Sequence, residues 1–230
     1  MGDAIVADDQ DASLASAWAK VKSFFSETPA KGACIPCAAP KPIVGPAWEK
    51  AAQDVFPGQQ HFGNCGLQSS RQLVEQAKGA KLGKTEEQFM NDAIASCGAG
   101  QGSTPETTGG TSAATRQCVM QQYGVASTVK PATLANVDDA LRNGKGVIIS
   151  SDADTIWGTQ GQAQGMGGGG RHAVILTNAI YDSSGKMTGV DVNDTGLGTR
   201  YAMSTEDLQK CLTSGSGQMN VTDARIWPTN

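Results

Sequence analysis

Helical patterning in the first half of the chain and strand patterning in the second predict an α+β fold, with an N-terminal helical layer packed against a C-terminal antiparallel β-sheet. Two observations carry this. Apolar residues recur at three- and four-residue spacing between 65 and 142, and short β-branched runs bounded by turn residues follow between 147 and 227. A functional site is then expected in the cleft where the two layers meet.

Residues 1–47 are expected to form a leader or tether. Leu14 to Phe25 places Trp18, Val21, Phe24 and Phe25 at helical spacing, and a linker rich in proline (Pro36, Pro40, Pro42, Pro46) runs on into the body. The catalytic body is expected from 48 to 230. Its first helix reads from Cys65 to Ala77, with Leu67, Leu73, Val74 and Ala77 inward and Gly79 past its end. Thr85-Glu86-Glu87-Gln88 has the form of a capping box that opens a second helix carrying Phe89, Met90, Ala93, Ile94 and Cys97 on one face. A loop of Gly, Ser and Thr covers 98–110. Helices near 111–122 and 133–142 follow, the latter with Leu134, Val137 and Leu141 in phase and Gly144 at its end. Strands are expected at 147–150, 173–180, 187–193, 200–203 and 221–227, the second and third joined by the turn Ser183-Ser184-Gly185.

The 230 residues suffice for one sizeable core or at most two small domains. The composition is unusual, with 29 Gly and only 17% charged residues. Twelve of those glycines fall in 98–110 and 158–170, so the excess marks two loops and not a disordered chain. With a net charge of -4 and no block of Lys or Arg, nucleic acid is not an expected partner. No apolar run reaches membrane-spanning length, and the acidic start Met1-Gly2-Asp3 lacks the features of a cleaved signal peptide. Synthesis in the cytoplasm without such a peptide is therefore expected.

Of six cysteines, Cys34 and Cys37 have the spacing of a redox pair or half a zinc knuckle, but no second pair completes a metal set. No metal and no cofactor are expected. Cys97 and Cys118 fall on apolar helical faces and read as small buried hydrophobes. Cys65 stands apart. It opens a helix, where unpaired N–H groups and the helix dipole favour a thiolate, and its own N–H could serve an oxyanion. Gln59, six residues earlier, could add a side-chain amide to that hole, and Gln60 beside it is read as a polar loop residue.

The chain has two histidines. His61 lies on the approach loop and reads chiefly as a surface residue, whereas His172 begins a strand after the run Gly165-Met166-Gly167-Gly168-Gly169-Gly170 and can face the thiol as a base. The next strand ends Val192-Asn193-Asp194, and alternation lets only one of Asn193 and Asp194 orient the imidazole. Asp194 is preferred, with Asn193 as the alternative. Trp157, Gly169 and Gly170 are read as candidates for the substrate-binding wall, and Trp157 equally as core.

The order Gln59, Cys65-Gly66, His172-Ala173-Val174, Asn193-Asp194-Thr195-Gly196 resembles the papain-like cysteine peptidases, and among them the bacterial C39-like branch that trims peptides after double glycine. The resemblance spans roughly Gln59 to Leu208. It implies a papain-like fold with Cys65 as nucleophile, His172 as base, Asp194 as orienter and Gln59 in the oxyanion hole, acting on a protein substrate at small or Gly-Gly sites. Two departures bear on the reading. Gly66-Leu67-Gln68 replaces the second cysteine and aromatic of the lysosomal enzymes, and no membrane segment accompanies the motifs as in an exporter. A stand-alone domain of this kind is similar to toxins delivered into rival bacteria, for example by type VI secretion. That similarity implies action in the target-cell cytoplasm and a cognate immunity protein in the producer. The same triad would serve glutamine deamidation or transglutamination, and a degenerate copy would serve only as a binding module.

Overall fold

A computed structural model describes residues 46–159 and 170–228. The amphipathic stretch at 14–25, the Cys34 and Cys37 pair and Gly169 lie outside them. The first described element is α1 (Pro46–Asp54), which begins with proline at the position where its missing N–H costs nothing. Trp48 of this helix is buried, stacks on Trp227 with ring centroids 6.1 Å apart, and donates its indole N–H to the Thr177 carbonyl. The helix is thereby fastened to the body.

Next come α2 (Cys65–Lys78), α3 (Glu86–Cys97), a 3-10 turn at Pro105–Thr107 and α4 (Ala113–Gln122). The ends follow local chemistry. Gly79 closes α2 in the left-handed conformation at φ 63°, and the Thr85 and Gln88 capping box opens α3. Ser112 caps α4 through the Thr115 N–H.

The second half gives β1 (Ser127–Pro131), α5 (Leu134–Arg142), β2 (Lys145–Asp152), α6 (Ala153–Gly158), β3 (Arg171–Tyr181), β4 (Met187–Asp194), β5 (Thr199–Ser204), α7 (Thr205–Ser214) and β6 (Gln218–Arg225). The strands form one antiparallel sheet in the order β1-β6-β2-β3-β4-β5. The fold is α+β.

Helices cover both faces of the sheet, so a second layer joins the expected N-terminal one. Ile148, Ala173 and Ile175 pack under α1 and α2, whereas Val147, Ile149, Val174 and Leu176 pack against α5, α6 and α7. Neighbouring residues of β2 and β3 point to opposite faces, so both central strands are apolar on each side. Leu67, Phe89, Met90, Ala93 and Val119 form a smaller core among α2, α3 and α4. The elements α1, α6, α7 and β1 were not expected. Of these, α7 had a readable start, since Ser204 caps the Asp207 N–H at 3.1 Å.

Cys97 and Cys118 need correction. They are joined as a disulfide across α3 and α4, with Cα atoms 5.7 Å apart. Helical phase placed both on inward faces but could not show that those faces meet.

Candidate active site

Cys65 is the first residue of α2, and Asn64 before it makes no side-chain cap. The first turn of the helix carries no acidic residue either. Its free N–H groups and positive dipole end are therefore directed at the thiol and at whatever binds beside it. The sulfur accepts the Ala173 N–H at 3.3 Å, and the carbonyl of the same Ala173 accepts the Ser69 hydroxyl at 3.2 Å. One residue of β3, Ala173, thus ties the nucleophile's helix to the sheet through both its N–H and its C=O.

His172 precedes that peptide and is 4% exposed. Its Nε2 lies 2.6 Å from Asp194 Oδ1. The carboxylate is completely buried and held on every side: Oδ1 also accepts the Gly196 N–H at 2.8 Å and the Leu197 N–H at 3.1 Å, and Oδ2 accepts the Tyr201 hydroxyl at 3.1 Å. Burial alone would push this carboxyl up, but the His172 charge and these donors hold it below the ordinary carboxylate range. For His172, burial opposes the cation, and Asp194 with the Cys65 sulfur more than offsets it, so the imidazole pKa is raised. At Cys65, burial again opposes charge, yet the hydrogen bond and charge of His172, the Ala173 N–H and the charge of Arg116 lower the thiol pKa. The arrangement favours a thiolate beside an imidazolium.

The structure brings Asp194, not Asn193, to His172. Asn193 faces the opposite way, donating to the Ala52 carbonyl at 3.0 Å and Gln72 Oε1 at 2.8 Å while accepting Arg200 Nε at 2.7 Å. It fastens α1 and α2 to the sheet. Gln60 is also structural: it is buried, its N–H donates to the Thr195 carbonyl, and its amide oxygen accepts the Thr195 hydroxyl. Gln59 is exposed, with Nε2 3.4 Å from the Gly196 carbonyl. His61 is on the surface and pairs with Glu86 at 2.9 Å, clamping the approach loop to α3.

Trp157 is 4% exposed, with its ring centroid 5.2 Å from that of His172. It shields the imidazole and lies in the core, one of its two expected places, and its burial leaves no open substrate-binding surface there. Gly170 precedes β3 and accepts the Ala153 N–H. The loop at 98–110 packs on the residues just before the nucleophile, since Gly63 donates to the Pro105 carbonyl and Gly109 lies close against Asn64. A cavity of about 370 Å³ opens next to Gln59, lined by Gln60, His61, Gln68 and Arg71 among others, but neither Cys65 nor His172 lines it.

Sequence reasoning missed Arg116, Tyr201 and the tight fit of Gly196. Arg116 left one signal, a lone charge on the inward stripe of Ala113, Val119 and Met120. Among the described residues no cluster of His, Cys, Asp and Glu suits a metal, and no helix is long and apolar enough to cross a membrane.

The fold and site define an α+β protein in which a helix N-terminus and two neighbouring strands bring together a thiol, an imidazole and a carboxylate. Two solved structures are similar to it. A protein from Bacillus anthracis assigned to the C39-like peptidases matches at 14% identity and a TM-score of 0.48, over 74% of this chain and 96% of the other. A variant of the Salmonella effector SpvD matches at 13% identity and a TM-score of 0.42, over 96% and 94%. No family model matches the chain, and no curated protein does.

Proposed function

We propose that the protein is a papain-like cysteine peptidase in which Cys65, His172 and Asp194 act as the triad. The supporting observation is the buried Asp194–His172 pair, whose charge acts on a half-buried thiol that accepts the Ala173 N–H at an uncapped helix N-terminus. The Cys65 thiolate attacks the scissile carbonyl carbon, and the carbonyl electron pair moves to oxygen. That oxyanion is met by the Cys65 N–H and, after a side-chain turn, by the Gln59 amide. Collapse breaks the C–N bond as the His172 imidazolium gives its proton to the leaving amine. Water then attacks the thioester, His172 takes its proton, and the thiolate departs.

Export of the protein belongs to the same proposal. The Cys97–Cys118 disulfide supports it, because such bonds persist outside a reducing cytosol.

The test is incubation of the wild type and of Cys65→Ala with a bacterial lysate, followed by mass spectrometry of peptide termini. New termini that appear only with the wild type are expected. A gain of one mass unit on glutamine without cleavage would replace proteolysis by deamidation, and no difference between the two proteins would leave a binding module.

A further inference from the structure

Arg116 lies in the first turn of α4 and is 2% exposed. Among the described residues no carboxylate pairs with it. Its Nε donates to Asn220 Oδ1 at 2.8 Å, Asn220 in turn donates to the Ala113 carbonyl at 2.9 Å, and Nη1 rests 3.5 Å from the carbonyl and the hydroxyl of Thr111. These partners are all neutral. They fix the guanidinium in place without cancelling its charge, and a buried cation left in that state is costly.

The side chain passes against Gly66, the residue that follows the nucleophile. A Cβ at Gly66 would lie 3.2 Å from Arg116 Cδ and would collide with the Thr111 hydroxyl, which explains glycine immediately after Cys65. The cation therefore sits by the N-terminus of α2 and within the first turn of α4, where the dipole of each helix disfavours positive charge. A nearby anion offsets that cost, and while Asp194 is taken up by His172, the Cys65 thiolate next to Gly66 is in place to do so.

We propose that Arg116 is a positioning residue for the nucleophile, a buried counter-charge that holds Cys65 as thiolate from the α4 side while His172 does so from β3. The inference rests on the reading of Cys65 as the nucleophile. Burial lowers the guanidinium pKa to about 10 and the charge of Cys65 acts against that, so the cation persists at neutral pH. The charged groups acting on the sulfur are then His172 from β3, backed by Asp194 of β4, and Arg116 from α4; the first turn of α2 adds no acidic residue.

The experiment is the pH dependence of iodoacetamide alkylation of Cys65, read on the full chain by mass spectrometry, in the wild type, Arg116→Met and Arg116→Lys. Methionine keeps the stem that packs on Gly66 and removes the charge. It should move the alkylation midpoint up by about one pH unit, which lowers the rate at pH 6 about tenfold, and lysine should recover most of the loss. A purely structural role for Arg116 would leave the midpoint unchanged. If folded Arg116→Met follows the wild-type profile, the inference fails while the nucleophile reading stands. If the wild type itself alkylates as an ordinary thiol, both fail. Should Arg116→Met not fold, the Arg116 Nε–H resonance of the wild type is followed across the Cys65 titration, with Cys65→Ala as reference. A shift at the Cys65 midpoint, absent from Cys65→Ala, supports the coupling, and a flat trace overturns it.

Discussion

Gly196 lies against the His172 imidazole so closely that a Cβ there would sit 2.7 Å from Cε1 and 3.0 Å from Nε2. The same Cβ would be 3.1 Å from Trp157, so the ring has no room to withdraw on that side. Gly196→Ala is therefore expected to displace His172 from its line between Cys65 and Asp194. A displacement of about 1 Å can cost about 100-fold in rate, and overpacking adds roughly 1–3 kcal/mol of destabilisation. Peptidase assay with thermal unfolding checks this; a fully active Gly196→Ala would mean that the contact does not set the imidazole position.

The two ends of the catalytic pair set the pH dependence. Cys65 is shifted down and His172 up, so the thiolate–imidazolium form should persist from the acid side of neutrality to well above it. It is lost at low pH when the sulfur is protonated and at high pH when the imidazole loses its proton. Alkylation of Cys65 should accordingly remain fast at pH 6. Cys211 provides the internal contrast, since burial pushes its thiol up to about 11 and it should stay unmodified. A Cys65 rate that climbs tenfold per unit from pH 6 to 8, as an unperturbed thiol does, would contradict this.

Asn193 and Asp194 should separate stability from chemistry. Asp194→Ala removes the partner of His172 and should lower the rate by about 100- to 10,000-fold. Asn193→Ala instead leaves the Ala52 carbonyl, Gln72 and Arg200 without their buried partner, which costs roughly 1–3 kcal/mol of stability with activity retained in the folded fraction. The carboxyl of Asp194 also carries an acid-sensitive part of the stability. Its folded pKa is lowered, so its contribution is complete above about pH 4 and is lost as pH falls through that lower value. Unfolding temperatures of Asp194→Asn and wild type should thus converge in acid, and parallel curves would exclude a stabilising role for the carboxylate.

The parts of this site that the sequence made legible are those set by local chemistry. Cys65 at a helix start, the Thr85 and Gln88 box and the β3–β4 hairpin each follow from neighbours in the chain. What was hidden depends on which surfaces meet. Trp157 between Ile156 and Gly158 suits a cleft wall as well as a core, and only the approach of α6 to the start of β3 places its ring on His172. Arg116 stands on the inward stripe of α4 with Ala113, Val119 and Met120, but which group its charge meets there depends on α4 packing on α2. The second helical layer was hidden for a different reason: α6 and α7 are short, and the strands around them carry the stronger pattern.

The Cys97–Cys118 bond is the last relationship with a measurable consequence. It links residues 21 apart and encloses the loop that presses on Gly63 and Asn64, immediately before the nucleophile. Closing a loop of this length restricts the unfolded chain by about 3 kcal/mol. For a chain of this size that corresponds to roughly 6–12 °C in Tm. The double variant Cys97→Ser, Cys118→Ser, or the wild type in dithiothreitol, should unfold at a correspondingly lower temperature. The rate of Cys65 alkylation should also change, because the loop packed on the residues just before the thiol is no longer tied at both ends. Mass spectrometry of the non-reduced protein identifies the bond directly. Equal unfolding temperatures with and without reductant, together with free thiols at both positions, would remove the disulfide and with it the support for export.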